Sequence, residues 1–373
     1  MFDWCENSKS AWAWTTVFTV FFALSVIPLI ADFPTTYPWQ DLMLNWRGGF
    51  IRRGLLGEIG LLCRPYAAEV LCGLVCLAYA AAAFLFVKTV LEMQNPRARL
   101  LILLSSSLLM YGIVYPSAGL RKDAFVLLAF IAAMRTQKPL FAAVFMTLAT
   151  FVHEETLFFA PLVMTRHKKT VPYFLAFGAV YTALTAFPKD VEQAVAESWG
   201  VDFGLAIKYI SGKANPFALS PQYYSNPPVS YADWLPFFKT RIVPFSLLAI
   251  ILTAAPIIVC LPKKLFKHPA VYAPLLLFSM PNWGRWESLI LMAWVVSAAT
   301  LEKGETGKNP PLLLFLPAFF ALYPYTDFIF DMKSIVLFEP LPIFVLFALC
   351  LIYNASNVFK GAWQWITFKT SDS

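Results

Sequence analysis

The sequence predicts an all-α, polytopic integral membrane protein, on the evidence of its composition, its apolar runs and its charge placement. Of the 373 residues, 59% are hydrophobic and only 14% carry a charge, and the mean hydropathy is +0.64. Apolar runs recur along most of the chain and are separated by short polar turns. Because backbone polar groups inside a bilayer must be satisfied internally, such runs fold as helices. We expect one membrane domain, 1–373, with about 12 transmembrane or half-membrane helices.

The first two crossings frame a short outer segment. Runs 11–31 and 67–90 are each long enough to span the bilayer, and 32–66 between them is amphipathic and rich in arginine and glycine. Runs 140–152 and 156–164 are too short for a full crossing, which predicts two short helices that meet near the outer leaflet. The remaining predicted crossings are 100–115, 124–135, 171–187, 241–261, 270–280, 288–301, 310–325 and 339–353.

Charge placement predicts the orientation. Most lysines and arginines in short turns fall on the side that holds both termini, so the positive-inside rule makes that side cytoplasmic. The net charge of +7 is assigned to loops facing anionic lipid, and no nucleic-acid partner is expected. The longest polar stretch, 188–240, then becomes a periplasmic loop with one short amphipathic helix near 192–210.

Cationic residues gather in three of the outer turns, the first of them rich in glycine. A guanidinium binds phosphate through two parallel bonds, and glycine lets backbone amides approach the same anion. We expect these cations to converge on the diphosphate of a membrane lipid. The alternatives are that they anchor helix ends at the headgroups, or that Arg121 pairs with Asp123 or Glu154 and Arg285 with Glu287. The cations are Arg47, Arg52, Arg53, Arg121, Lys122 and Arg285.

His153 is followed directly by Glu154 and Glu155 on the predicted outer side. A histidine near neutral pKa can take a proton from a sugar hydroxyl, and an adjacent carboxylate can orient it. The alternative is a structural histidine at a helix end. The sequence offers neither a second nearby histidine nor an aspartate cluster, so no metal and no other cofactor is predicted.

These motifs together resemble the Wzy-type polysaccharide polymerases, especially the EpsG-like branch. The resemblance rests on the runs Arg47–Gly54, Gly119–Asp123, His153–Glu154 and Trp283–Trp286. It implies a bacterial inner-membrane glycosyltransferase with a GT-C-like helical fold and a periplasmic active site. The enzyme would join undecaprenyl-diphosphate-linked repeat units into O-antigen, capsule or exopolysaccharide without a metal. The implied partners are the lipid-linked donor and acceptor, membrane lipid, and flippase and chain-length regulator proteins.

The resemblance also implies roles for individual residues. Arg121 and its neighbours would hold the diphosphate leaving group, and His153 or Glu154 would activate the acceptor hydroxyl. Apart from the resemblance, the aromatic ring of Trp283 can stack on a sugar, although aromatic residues also concentrate at membrane interfaces. Catalysis is assigned to His153, Glu154, Arg121 and Asp123. Substrate binding is assigned to Arg47, Arg52, Arg53, Lys122, Trp283 and Arg285.

Two other classes remain open. A glycosyltransferase that uses a polyprenyl-monophosphate sugar would place an acidic base in the first outer segment, where Asp32, Asp41 and Glu58 lie. A lipid-linked glycan transporter would show internal repeats or broken helices at mid-membrane, and no repeat is visible in the sequence.

Overall fold

The computed structural model describes residues 4–50, 53–105, 107–186, 192–200, 253–279, 283–307 and 310. Every regular element within these ranges is helical, so the predicted all-α class is confirmed for this part of the chain. The α-helices are α1 Trp4–Val26, α2 Tyr37–Met43, α3 Leu55–Leu62, α4 Ala67–Leu91, α5 Pro96–Leu104, α6 Tyr111–Val114, α7 Pro116–Gly119, α8 Asp123–Arg135, α9 Pro139–Val152, α10 Thr156–Arg166, α11 Val171–Ala186, α12 Glu192–Trp199, α13 253–260 and α14 Trp283–Leu301. Short 3-10 helices cover Ile27–Asp32, Lys168–Thr170, Leu265–Lys267 and Pro269–Ser279.

Two of the described stretches are long and apolar enough to cross a bilayer. They are Lys9–Asp32 and Ala67–Leu91, which correspond to the first two predicted crossings. The helices α1 and α4 within them pack against each other, and Leu24 and Leu77 project outward from them with 65% and 68% exposure. Such exposed leucines fit a surface that faces lipid.

The core lies where α4, α8 and α14 meet. Helix α4 packs on α8, and α14 packs on both of them. Buried alanines of α4, such as Ala82 and Ala83, let neighbouring helices approach closely, as small residues do in membrane bundles. The aromatic rings of Phe86, Phe130 and Phe159 fill the remaining space.

The structure forms the predicted pair of short helices. Helix α9 ends at Val152 because His153 is extended, with φ −156° and ψ 120°. Helix α10 begins at Thr156, whose hydroxyl donates to the His153 carbonyl over 2.8 Å. The three residues between the helices are therefore held at the turn where α9 and α10 meet.

Three predicted spans differ in the structure. The run 270–280 forms a 3-10 helix, Pro269–Ser279, with Pro274 inside it. The run 100–115 is not one helix, since α5 ends at Leu104 and α6 begins at Tyr111. Ser105 and Ser107 bond to each other over 3.0 Å at the break, and serine hydroxyls commonly compete with helical bonding. The last described helix begins at Trp283 rather than at 288. Its first turns can include Arg285 and Glu287 because Asp123 binds the arginine and Thr253 binds the glutamate.

The helix predicted in the long polar stretch forms over Glu192–Trp199, as α12. It packs on segment 32–66, where the Trp199 indole N–H donates to the Met43 carbonyl over 2.8 Å and the Asn45 side-chain amide donates to the Ser198 hydroxyl over 3.0 Å. Three parts of the predictions lie outside the described residues. They are 188–191 and 201–240 of the long stretch, 241–252 of the predicted crossing 241–261, and the predicted crossings 310–325 and 339–353 except residue 310.

Candidate functional site

Several charged residues that are distant in sequence meet in one place, which we call the ion cluster. They come from α2, from the loop before α3, from the loop before α8 and the first residue of α8, from the α9–α10 turn and from the start of α14. Most are almost completely buried. The cluster consists of Asp41, Arg53, Arg121, Lys122, Asp123, His153, Glu154, Glu155 and Arg285.

Arg53 links segment 32–66 to the α9–α10 turn. Its Nε and Nη2 atoms donate to the two carboxylate oxygens of Glu154 over 2.8 and 2.7 Å, and Nη1 donates to Asp41 over 3.3 Å. Arg53 itself has φ +66°, in the left-handed region that costs a non-glycine residue about 1 kcal/mol. The surrounding bonds hold the residue in this conformation.

Lys122 and Asp41 lie on the other side of Arg53. The Lys122 ammonium is fully buried, donates to the Arg53 carbonyl over 3.0 Å and lies 3.7 Å from the Asp41 carboxylate. Burial lowers the pKa of Lys122 to about 8, although Asp41 opposes the change. Burial alone would raise the pKa of Asp41, but Lys122 and Arg53 outweigh it and hold this pKa well below its usual range.

His153 lies between Glu155 and Arg285. Its Nδ1 atom is 3.0 Å from a Glu155 carboxylate oxygen, and its Nε2 atom is 3.3 Å from Nη2 of Arg285. A proton on Nδ1 satisfies this carboxylate and leaves Nε2 as the acceptor that faces Arg285. The Glu155 backbone amide also approaches Nδ1 but at 3.4 Å, so we take the carboxylate as the determining contact.

Arg285 joins α14 to this group. Its guanidinium binds the Asp123 carboxylate through two nitrogens, with Nε donating over 2.6 Å, and Nη2 is 3.3 Å from Glu155. The guanidinium also lies 4.1 Å above the ring of Trp286, a cation–π contact. Arg285 is therefore fixed on several sides at once.

The positive and negative charges of the cluster balance. The cations are Arg53, Arg121, Lys122 and Arg285, and the carboxylates are Asp41, Asp123, Glu154 and Glu155, which makes four of each with His153 left out of the count. The buried ions are thus compensated, as burial in a low dielectric requires. Asp123 and Glu154 are the more exposed carboxylates, with 18% and 16% side-chain exposure, and they mark the side nearest solvent.

The structure brings together most of the predicted site residues. Arg53, Lys122 and Arg285 share the cluster with the residues assigned to catalysis, and Arg121 is near enough to lower the pKa of Asp41. Arg47 stays outside it, with a side chain 56% exposed and 3.8 Å from Glu58.

Two predicted residues have no described side-chain position. Arg52 lies outside the described residues, and Trp283 is described only as the first residue of α14. The predicted alternative pair of Arg285 with Glu287 does not form, because Arg285 binds Asp123 and Glu155 while Glu287 accepts from the Thr253 hydroxyl.

Two residues of the cluster were not assigned to the site from the sequence. Asp41 entered only as a base in the rival class, and Glu155 was not distinguished from Glu154. The structure separates the two glutamates, since Glu154 holds Arg53 and Glu155 contacts His153 and Arg285. Sequence spacing gives no signal for this division, because both follow the histidine directly.

The arrangement can support proton transfer next to a fixed positive charge. His153 has a ring nitrogen facing Arg285, and Glu155 can stabilise the imidazolium that forms when this nitrogen takes a proton. Among the described residues, no group of three or more His, Cys, Asp or Glu side chains is placed to hold a metal ion. The predicted independence of metal remains a prediction.

The ion cluster is the candidate functional site in the described part of the chain. Its members come from every motif on which the resemblance rests. Compared with protein-family models, with curated proteins and with solved structures, the chain gives no match.

Proposed function

We propose that the chain is a membrane glycosyltransferase similar to the Wzy-type polymerases, which joins undecaprenyl-diphosphate-linked repeat units into a surface polysaccharide. The observation that carries the proposal is the contact between His153 and Arg285, residues 132 positions apart whose nitrogens approach within 3.3 Å. A candidate base thus lies beside a cation that suits a diphosphate leaving group.

The proposed reaction is a displacement at an anomeric carbon. Once Arg285 has turned to the diphosphate and released Nε2 of His153, the acceptor hydroxyl gives its proton to this nitrogen, and the hydroxyl oxygen forms the new bond to the anomeric carbon. The bond from this carbon to the diphosphate oxygen breaks, and the electron pair leaves with the undecaprenyl diphosphate. Arg285, Arg53 and Arg121 stabilise the charge that develops on the leaving group. Glu155 stabilises the imidazolium and keeps its ring oriented.

The balanced charge of the cluster determines how a diphosphate would enter. With four cations facing four carboxylates, the phosphate oxygens must replace a carboxylate as the partner of an arginine. Asp123 and Glu154 are the most accessible of these carboxylates, so Arg285 and Arg53 are the cations that would exchange partners. Until then the carboxylates hold the guanidinium groups in place, which reduces reorganisation on binding.

The membrane arrangement belongs to the same proposal. We propose about 12 transmembrane or half-membrane helices in a GT-C-like fold, with both termini cytoplasmic and the ion cluster facing the periplasm of a bacterial inner membrane. The two apolar stretches long enough to cross a bilayer, and the short helices α9 and α10 that meet at the cluster, support it. Flippase and chain-length regulator proteins are the partners expected for such an enzyme.

One observation favours the rival glycosyltransferase that uses a polyprenyl monophosphate. Asp41, from the first outer segment, lies within the cluster and 3.3 Å from Arg53. Its lowered pKa argues against it, because a carboxylate held so firmly in the charged form is a weak base. We therefore place Asp41 as a counter-ion and keep the rival as second candidate.

The proposal is tested by polymer formation in a deletion strain that carries plasmid-borne variants. His153→Gln removes the proposed base, and His268→Gln is its matched control, because His268 also lies 3.0 Å from a glutamate, Glu302, but outside the ion cluster. We expect His153→Gln to lower polymerisation at least a hundredfold and leave single repeat units on a gel. His268→Gln should give the wild-type length distribution.

Equal amounts of both variants in the membrane, and a single peak for each on gel filtration in detergent, exclude misfolding as the cause. Long polymer from His153→Gln at normal yield would refute the proposal. Loss of activity in Asp41→Asn together with full activity in His153→Gln would select the monophosphate-dependent enzyme instead.

A further inference from the structure

A second group of cations lies at the opposite end of α9, around an open pocket of about 540 Å³. Since α9 has 14 residues, the pocket is roughly 20 Å from the ion cluster along the helix axis. The pocket is lined by Gln137, Pro139, Arg166, His167, Lys168 and Lys169. We propose that it binds the phosphate-bearing headgroup of an anionic membrane lipid.

The cations of the pocket differ from those of the ion cluster in having no acidic partner. Arg166, Lys168 and Lys169 form no ion pair with any carboxylate in the part of the chain that the structure describes. The nearby Arg135 is different, because two of its nitrogens bind Glu92 over 2.8 and 2.7 Å. The pocket thus has a surplus of positive charge, which an anion would neutralise.

The backbone around the pocket is firmly positioned. Arg166 donates to the Thr300 carbonyl over 2.8 Å, which ties the end of α10 to α14. The buried ring of His167 bonds to the Ala133 carbonyl over 3.0 Å, which ties the same turn to α8. The Arg166 Nε atom is buried and has no hydrogen-bond partner among the described residues, so the protein does not satisfy this guanidinium completely. The two lysines are exposed and can close over a bound group.

Helix ends do not by themselves explain a preference for anions here. Helix α9 begins at Pro139, and the positive end of its dipole lies at the pocket. Helix α10 ends at Arg166, however, and its terminal carbonyls contribute the opposite partial charge. The preference therefore rests on the three side chains.

An exposed apolar surface adjoins the pocket and selects a lipid over a free anion. Leu140, Val144 and Leu148 recur at every fourth position of α9 and are 72%, 42% and 52% exposed. Helix α11 starts directly after the pocket lysines, and its Leu175 and Val180 are 65% and 58% exposed. An acyl chain can lie on these residues while its headgroup occupies the pocket.

Thermal unfolding of the purified protein in a neutral detergent tests the proposal. The probes are dioleoyl phosphatidylglycerol, dioleoyl phosphatidylcholine as a zwitterionic control, and inorganic phosphate. We expect only phosphatidylglycerol to stabilise the wild-type protein at micromolar concentrations. Lys168→Gln/Lys169→Gln should weaken its apparent affinity by about tenfold or more.

The matched control is Lys263→Gln/Lys267→Gln, which removes the same charge from two exposed lysines that do not line the pocket. This variant should keep wild-type affinity, and Lys168→Arg/Lys169→Arg should keep most of it. An equal loss in both glutamine variants would overturn the pocket, since it would show only a general attraction of basic loops to anionic lipid. Stabilisation by inorganic phosphate at the same concentrations would overturn the lipid as ligand.

Discussion

Buried charges in the ion cluster are held by specific partners rather than by solvent. Removing one member of a buried ion pair leaves its partner uncompensated, which typically costs about 3–5 kcal/mol. Asp41 illustrates the dependence, because it faces both Arg53 and Lys122 while its side chain is only 4% exposed. Single substitutions in the cluster therefore change stability as well as chemistry, and the two effects have to be measured separately.

Asp41→Asn should destabilise the protein in a way that depends on pH. The pKa of Asp41 is lowered by folding, so its stabilising contribution is present above the unfolded-state pKa of about 4 and is lost as pH falls below it. The difference in melting temperature between wild type and Asp41→Asn, measured in detergent, should be constant from neutral pH down to about pH 5 and shrink below about pH 4.

Asp32→Asn makes the same chemical change at an exposed position and should leave the melting temperature within about 1 °C of wild type. A difference between wild type and Asp41→Asn that grows on acidification would contradict the ion pairing described for Asp41.

At single positions, the sequence predicted most members of the ion cluster but not which of them pair. Arg53, Arg285 and His153 could be selected because a charged or titratable side chain beside apolar runs is costly and therefore informative. The pairing of Arg53 with Glu154, across 101 positions, depends on how α3 and the α9–α10 turn pack, and no local pattern encodes it. The same holds for Arg285 and Asp123, which are 162 positions apart.

Helix packing places the Arg53 loop against the rest of the cluster. Helix α3 follows this loop and packs against α2. Gly57 of α3 lies almost directly against the backbone of Met43 and Leu44 at the end of α2. A β-carbon at Gly57 would lie 1.9 Å from the Leu44 carbonyl oxygen, and this neighbour is backbone that cannot rotate away. The glycine allows the close approach that brings Asp41 and Arg53 together.

Gly57→Ala should therefore separate α2 from α3 and destabilise the protein by about 1–3 kcal/mol or more. Gly73→Ala is the matched control, since a β-carbon there meets nothing within 4 Å inside helix α4. It should be neutral or stabilising by up to about 1 kcal/mol, because alanine favours helix. Thermal unfolding of both variants in detergent measures the effect, and equal melting temperatures would show that the α2–α3 contact is not tight.

The sequence predicted the helices well where apolar length decided the outcome. Helices α4, α9, α10 and α11 follow the predicted runs closely, because a continuous apolar segment satisfies its backbone polar groups internally when it is helical. The prediction failed at 100–115, where hydrophobicity is continuous but Ser105 and Ser107 bind each other and the helix stops. Hydropathy alone does not register such a break, since the serines lie among apolar neighbours.

Over the whole molecule, α9 separates two charged regions of different character. The ion cluster at its end is balanced and buried, whereas the pocket at its start has an open face and cations that form no ion pair with any described carboxylate. A bilayer core is about 30 Å thick, so two regions about 20 Å apart along a short helix cannot both lie at its boundaries. The proposed function places the pocket at the cytoplasmic boundary and the ion cluster on the periplasmic side of the midplane, roughly 10 Å below the periplasmic boundary.

Single-cysteine labelling in a variant without native cysteines tests this placement. Arg47→Cys reports on the segment beside the ion cluster, and Lys169→Cys reports on the pocket; both side chains are exposed. In intact spheroplasts, a membrane-impermeant maleimide should modify Arg47→Cys and spare Lys169→Cys, because the reagent reaches only the outer face. After permeabilisation both should react, which shows that Lys169→Cys is accessible. Labelling of both positions in intact spheroplasts would place the two regions on the same side of the membrane. That result would contradict the proposed arrangement, in which the ion cluster and the pocket face opposite sides.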